Sequence, residues 1–356
     1  MATTDIPEFL RDQHISYFRR CLVMLPTEYE RAETTRMTLS YFVLGGLSLL
    51  DVLDSVITPE QRNDWIEWIY SQQVHADTSD PESIKACGFR GSPYSGVPFG
   101  VHSPSIGPYD CANIAMTYTA LNNLLLLGDD LSRIDRKAIV GALRYLQHEN
   151  GGFTPTYNNR NECDIRFLYC ACVISYFLND WSGIDIDRAV NFVLSCLSYD
   201  FGFGQEPGQE SHGGPTYLAI ASLHLMNRMN DLGPWRREHI LQWLMERQVS
   251  GFEGRVNKPP DTCYSFWIGG ALDILGAWRM IDSEANHAFL MQTQSKRIGG
   301  FSKLPEIPYP DVMHSYLGIA GLAIIRTPNI VELDCAVNLP RKTVEWAKKT
   351  IPFWRK

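Results

Sequence analysis

A Gly-Phe pair recurs along the chain at nearly constant spacing, and this repeat restricts the fold more than any other feature. The copies are ENGGF (149–153), YDFGF (199–203), VSGF (249–252) and RIGGF (297–301). Their phenylalanines, Phe153, Phe203, Phe252 and Phe301, lie 50, 49 and 49 residues apart. An earlier copy, CGFRG (87–91), stands 64 residues before Phe153, so that unit carries a longer loop. A fixed period of this length signals repeated units that bury their apolar faces against one another.

Each unit reads as two helices. The first is of mixed polarity, as in WIEWIYSQQ (65–73), ALRYLQHENGG (142–152) and HILQWLMERQ (239–248). Glycine just beyond it predicts the stop, because glycine takes left-handed backbone cheaply. A polar or Pro-containing loop follows. A polar residue then introduces an apolar helix: DCANIAMTYTALNNLLLLG (110–128), DIRFLYCACVISYFL (164–178), HGGPTYLAIASLHLM (212–226), DTCYSFWIGGALDIL (261–275) and DVMHSYLGIAGLAII (311–325). Asp at that junction predicts an N-cap. These second helices are apolar almost all round, which predicts burial on both sides. Alternating β-branched runs are nearly absent, so no sheet is expected.

One amphipathic and one buried helix per unit predict an all-α fold, an α/α barrel of two concentric rings. Five units and the N-terminal helices around 35–53 would nearly close it. An open solenoid has the same period, but the very apolar second helices favour closure. No Pro/Gly/Ser-rich linker divides the chain, so residues 1–356 read as one domain.

Composition removes other classes. At 45% hydrophobic and 20% charged, 356 residues suit a large folded core rather than disorder. The net charge of -8 disfavours a nucleic-acid partner. No apolar run approaches the roughly 18 residues that span a bilayer, and MATTDIPEFLRDQ lacks a signal-peptide core. Nine scattered cysteines read as free thiols in the cytoplasm. The closing FWRK matches no address or lipid-anchor motif.

Loops between the helices of each unit fall on one face, and chemistry gathers in three of them. One carries His212-Gly213-Gly214, the next Arg255, Lys258, Asp261, Cys263 and Tyr264, the third Lys303, Asp311 and His314. Asp261 and Cys263 form an Asp-x-Cys pair, and His314 follows one repeat later. Carboxylate, thiolate and imidazole are ordinary zinc ligands, and three of them leave a position open for catalysis. The duller reading makes Asp261 a cap, Cys263 a core thiol and His314 a satisfied loop histidine. His212, Arg255, Lys258 and Tyr264 suit a diphosphate, with a solvated polar loop as the alternative.

The runs GRVNKPPDTCYSFW (254–267), ESHGG (210–214) and PDVMHSYLG (310–318) resemble three blocks of the protein prenyltransferase β subunits. The resemblance extends over nearly the whole chain, including GFRGSPYSGVPF (88–99), AMTYTAL (115–121) and GDDLSRID (128–135), and is strongest to the type I geranylgeranyl branch. It implies one catalytic Zn2+ on Asp261, Cys263 and His314. It implies diphosphate contacts from His212, Arg255, Lys258 and Tyr264, further contacts to the geranylgeranyl diphosphate from Gly213, Gly214, Val256, Asn257, Ser265 and Phe266, and a lipid lining of Thr38, Phe42, Tyr118, Arg166, Tyr169, Cys170 and Trp267. Farnesyl enzymes carry tryptophan at the position of Thr38, so threonine implies room for a fourth isoprene unit. Lys303, one residue further from the histidine than in the family pattern, implies a lysine in place of Mg2+, which the reaction then does not require. Asn113, Ala115, Phe167 and Met313 would meet the last residue of a CaaX peptide; related enzymes carry histidine at the position of Asn113.

The activity so implied is transfer of geranylgeranyl from geranylgeranyl diphosphate to a CaaX cysteine, X mostly Leu or Phe. The implied partners are an α subunit shared with farnesyltransferase and Rho-, Rac- and Rap-type GTPases. Rival readings are a farnesyltransferase β subunit, the escort-dependent Rab enzyme, a non-catalytic α/α-barrel scaffold and a metal-dependent hydrolase. Three other patterns are decoys. Asp129-Asp130 lacks the third aspartate of a diphosphate-synthase box, and Asp185/Asp187 falls one aspartate short of a cyclase motif. Cys170 and Cys172 are two apart on a helix and point away from each other.

Overall fold

The computed structural model describes residues 7–93 and 111–354. Part of GFRGSPYSGVPF and the junction residue Asp110 lie outside them. The elements in chain order are α1 (Arg11–Val23), α2 (Arg36–Leu49), a short α3 (Leu53–Val56), α4 (Pro59–Ser71), β1 (Gln73–Val74) and β2 (Gly88–Phe89). Then come α5 (Ile114–Leu126), α6 (Arg136–Leu146), α7 (Ile165–Phe177), α8 (Ile186–Ser195), α9 (Gly213–Leu225), α10 (Gly233–Met245), α11 (Tyr264–Ile274), α12 (Ser283–Thr293) and α13 (Val312–Ile324). The chain finishes with β3 (Leu333–Asp334), β4 (Leu339–Pro340) and α14 (Arg341–Thr350).

The apolar helices α2, α5, α7, α9, α11 and α13 each pack on the next, and α13 packs back on α2. This closes a ring of six and excludes the open solenoid. The helices α1, α4, α6, α8, α10 and α12 lie outside, each exposing one face. The strands form two small antiparallel pairs, β1–β2 and β3–β4, where the sequence predicts none. They are two-residue closures of loops, too short to show a periodicity of two.

The repeated phenylalanines explain the period. Phe153, Phe203, Phe252 and Phe301 are fully buried and bridge back to Gln147, Leu197, Gln248 and Gln294 at the outer-helix ends. The preceding glycines serve this return rather than stopping the helix. At Gly151 (φ +95°) a Cβ would stand 2.0 Å from the Arg188 carbonyl oxygen. Left-handed stops do occur, but after the inner helices: Asp51, Gly128, Asn179, Asn227, Gly276 and Arg326 all have positive φ.

A collar of hydrogen bonds joins the N-terminal ends of the inner helices. At five of the six a backbone N–H donates to a carbonyl in the loop of the next unit: Met37 to Gly91 (3.0 Å), Ile114 to Pro155 (2.9 Å), Ile165 to Gln205 (3.2 Å), Gly213 to Gly254 (2.8 Å) and Thr262 to Lys303 (3.0 Å). Further along, each inner helix adds one buried aromatic to a girdle: Tyr41, Tyr118, Tyr169, Tyr217, Phe266 and Tyr316. The turn between β3 and β4 enters from the opposite end and plugs the lumen. Tyr217 donates to the Cys335 carbonyl (2.7 Å), Tyr169 to Ala336 (3.2 Å) and Tyr316 to Asn338 (2.8 Å). One mouth is thus blocked, and the site lies at the other.

Candidate metal centre and active site

Four of the inner helices, α5, α7, α9 and α13, begin with a polar residue whose side chain accepts a backbone N–H from the first turn. Asn113 serves Ala115, Asp164 serves Arg166, His212 Nδ1 serves Gly214, and Asp311 serves His314. Asp261 occupies the same register and accepts from the Cys263 N–H at 3.0 Å. Here, however, α11 starts only at Tyr264, with Cys263 as its cap residue. The Asp-x-Cys pair therefore sits in a turn before the helix, and Asp261 keeps a free face toward the lumen.

That face meets α13. His314 Nε2 stands 3.2 Å from Asp261 Oδ1, and one donor atom each from Asp261, Cys263 and His314 lies within 4.8 Å of the others. All three residues are buried. Asp311 Oδ2 holds His314 Nδ1 at 2.6 Å, which orients Nε2 into the cluster. Two further bonds align the loops: Thr262 takes the Lys303 carbonyl through its N–H and the Ser302 carbonyl through its hydroxyl at 2.7 Å.

The three groups shift one another's ionisation. Burial, with the Asp261 carboxylate alongside, pushes the Cys263 thiol well above its usual range. Burial opposes charge on His314, but hydrogen bonds to Asp261 and Asp311 raise it to about 9. Burial likewise opposes charge on Asp261, yet the hydrogen bonds from His314 and Cys263 hold that carboxyl low. A buried carboxylate, thiol and imidazole within one ion's reach are the donor set of a three-ligand zinc site, and a divalent cation would balance their charge. The residues present fit the ion.

Beside the cluster, Gly214 N–H bonds His212 Nδ1 (3.1 Å), so its proton sits on Nε2 and is shared with the Tyr264 hydroxyl at 3.0 Å. Burial and neighbouring Arg255 lower the His212 pKa, which keeps the ring neutral. Gly254 lets the Tyr264 ring pass: a Cβ there would come within 2.0 Å of it. Gly213 is held by its N–H bond to Gly254. Arg255 is not free, since it pairs with Glu210 at 2.8 Å. Val256, Asn257 and Lys258 are exposed on this loop, Asn257 with φ +62°. Lys303 is exposed, with Nζ 3.7 Å from Asp261 Oδ2.

Ser265 and Phe266, implied as contacts of the co-substrate, lie within α11. Ser265 is buried and donates to Asn286 of α12 at 2.8 Å, and Phe266 is enclosed between Tyr217 and Trp267. Of the lipid-lining set, Thr38 lies 3.5 Å from the Thr119 hydroxyl, and Phe42 and Tyr118 contact Tyr41. Tyr169 and Trp267 both contact Tyr217. Cys170 is buried on α7, whereas Arg166 is bound to Glu162 and the fully buried Asp164. Ala115, Phe167 and Met313 lie in the first turns of α5, α7 and α13, and Asn113 caps α5.

The decoys have structural employment. Asp129 accepts from Tyr70 at 2.6 Å, Asp130 shapes a turn by accepting the Ser132 N–H, and Asp185 caps α8. The nine cysteines form no disulfide. The sequence predicts Asp311 as a cap but not its grip on the His314 ring, and it assigns Glu210 no role. The first had a signal, Asp-x-x-His at a helix start; the second had none, because its partner lies 45 residues away.

A closed double ring of helices around an aromatic lumen blocked at one end, with a buried triad able to hold a metal ion toward the other, defines the architecture of an α/α barrel. The model of the prenyltransferase alpha-alpha toroid domain matches residues 9–339. The chain belongs to this prenyltransferase family. It is 41% identical over 344 residues to the geranylgeranyl transferase type-1 subunit beta of Dictyostelium discoideum, covering 94% of this chain and 97% of that one. It is 39% identical to the protein of the same name from Arabidopsis thaliana, covering 93% and 89%. The structure matches the Candida albicans protein geranylgeranyltransferase-I complexed with GGPP, with a TM-score of 0.85 and 28% identity over 98% of this chain and 100% of the other. No helix among the described residues is long and apolar enough to cross a membrane.

Proposed function

We propose that this chain is the catalytic β subunit of a zinc-dependent protein geranylgeranyltransferase type I, acting as one domain over residues 1–356. It moves the geranylgeranyl group of geranylgeranyl diphosphate to the cysteine thiol of a C-terminal CaaX sequence. The observation that carries the reading is the buried Asp261, Cys263 and His314 cluster, opening onto an aromatic lumen in a chain so similar to type-1 beta subunits.

A thiol of pKa about 8.5 costs roughly 2 kcal/mol to ionise at pH 7. A zinc ion held by Asp261, Cys263 and His314 supplies the Lewis acidity that stabilises the substrate thiolate, so no general base is needed. The remaining work falls to the protein. Asp311 fixes the His314 ring. The His212–Tyr264 pair, with Arg255, Lys258 and Lys303, receives the charge that grows on the diphosphate as the carbon–oxygen bond breaks. Arg255 exchanges Glu210 for that anion. Lys303 brings a cation to where magnesium would otherwise sit. Thr38, Phe42, Tyr118, Tyr169, Cys170 and Trp267 hold the lipid in the lumen. Partners follow from the same reading: a helical-repeat α subunit shared with farnesyltransferase, and cytoplasmic Rho-, Rac- and Rap-type GTPases.

The test is a lipid competition. The chain, co-expressed with a candidate α subunit, is offered a CaaX peptide ending in Leu, zinc, and farnesyl and geranylgeranyl diphosphates together, with and without magnesium. Geranylgeranyl peptide formed without magnesium is the expected product. Farnesyl peptide that depends on magnesium would move the chain to the farnesyl branch and remove the roles of Thr38 and Lys303.

A further inference from the structure

The collar of backbone bonds has a seam. Five inner helices pass an N–H near their start to a backbone carbonyl of the following unit. The sixth, α13, is followed around the ring by the first unit, and there the pattern changes. Its first residue, Val312, donates instead to a side chain, the Tyr29 hydroxyl, at 3.0 Å. Tyr29 stands in the 3-10 segment Thr27–Thr35, which links α1 to α2.

The N–H groups of a helix's first turn have no partner within the helix and must find one outside. In α13 the Asp311 carboxylate takes the His314 N–H and Tyr29 takes that of Val312, which is 1% exposed. The same turn carries His314, and Asp311 also grips its ring. Tyr29 therefore bears on the one cluster residue that lies within a helix, since Asp261 and Cys263 precede α11. Burial raises the Tyr29 pKa to about 12, so the hydroxyl stays neutral and remains an acceptor at working pH. In Tyr29→Phe the Val312 N–H is left buried without a partner, and the turn must shift to reach water or another acceptor.

We propose that Tyr29 is a positioning residue of the metal centre, closing the collar at its seam and fixing the first turn of α13 so that His314 Nε2 meets Asp261 and Cys263. The inference rests on the metal reading above. The experiment compares parent, Tyr29→Phe and a remote control, Tyr70→Phe, which loses a tyrosine hydrogen bond to Asp129 far from the cluster. Zinc affinity is measured by competition with a chromophoric chelator, and the cobalt-substituted proteins are read by visible absorption. Tyr29→Phe is expected to bind zinc roughly 10- to 100-fold more weakly, with altered cobalt bands, while Tyr70→Phe matches the parent in both. Parental affinity and parental bands in Tyr29→Phe overturn the role of Tyr29 alone. A parent that binds no zinc overturns the metal reading and this inference with it. Should Tyr29→Phe not fold, hydrogen exchange on the parent decides: slow exchange at the Val312 amide is expected, and exchange at the unprotected rate overturns the bond.

Discussion

Asp261 shows how one residue is turned from structure to chemistry. Asn113, Asp164, His212 and Asp311 spend a side-chain acceptor on the first turn of their helices. Asp261 does the same for Cys263, but the later start of α11 leaves its carboxylate facing His314 as well. Removing a ligand and removing a charge at the diphosphate end should then separate cleanly. Cys263→Ala is expected to abolish stoichiometric zinc by metal analysis and to abolish transfer. Lys258→Ala should keep its zinc and lose about 10²- to 10³-fold in single-turnover rate, or about 3–4 kcal/mol. Full zinc in Cys263→Ala would remove Cys263 from the ligand set. The repeat suggested the cluster by placing Asp261 and His314 one unit apart, but the resemblance, not the spacing, favoured a metal over a cap, a core thiol and a loop histidine. Tyr29 and Glu210 were not legible, because a tyrosine in a short linker and a carboxylate in another loop leave no periodic trace.

At the scale of elements, the outer helix α1 is held by a histidine. His14 Nδ1 accepts the Gly300 N–H at 2.9 Å, its Nε2 lies 3.2 Å from Gln294 Oε1, and its ring stacks between Phe9 and Phe301. Burial lowers its pKa from 6.5 to about 4. The unfolded chain therefore takes up this proton near pH 6.5 and the folded chain only near 4. Stability from this group is present above pH 6.5 and is lost as pH falls toward 4, by up to about 3 kcal/mol. Urea unfolding at pH 7 and pH 5 should show about 2 kcal/mol of that loss, and His14→Phe should flatten it; an equal slope in both proteins would place the titration elsewhere. Helix type and order were readable from polarity, since inner helices are apolar all round and outer ones are not. Cap identity was less so. Asp164 and Asp311 behave as an N-cap aspartate should, but α5 begins at Asn113, and a histidine caps α9, a choice that propensity does not favour.

For the whole molecule, the period could not decide between ring and solenoid, because both stack the same units. The decision lies in contacts between the two ends of the chain: α13 on α2, Tyr41 against Tyr316, and His14 against Gln294. The plug is equally non-local. Tyr217→Phe removes the bond to the Cys335 carbonyl and should cost about 1–3 kcal/mol, as an orphaned buried acceptor does. Equilibrium denaturation checks this, and an unchanged midpoint would mean that the turn between β3 and β4 does not lean on the girdle.

Closure also dictates when the molecule can finish folding. Tyr41 and Tyr316, which share a hydrogen bond, are 275 residues apart. An open solenoid could add each unit to the last as it leaves the ribosome, since every contact is to a neighbour. This ring cannot, because α2 emerges early with an apolar flank whose partner, α13, has yet to be synthesised. At about 5–20 residues per second, that flank waits on the order of tens of seconds, exposed to other nascent chains. The protein is thus expected to lean on chaperones during its own translation.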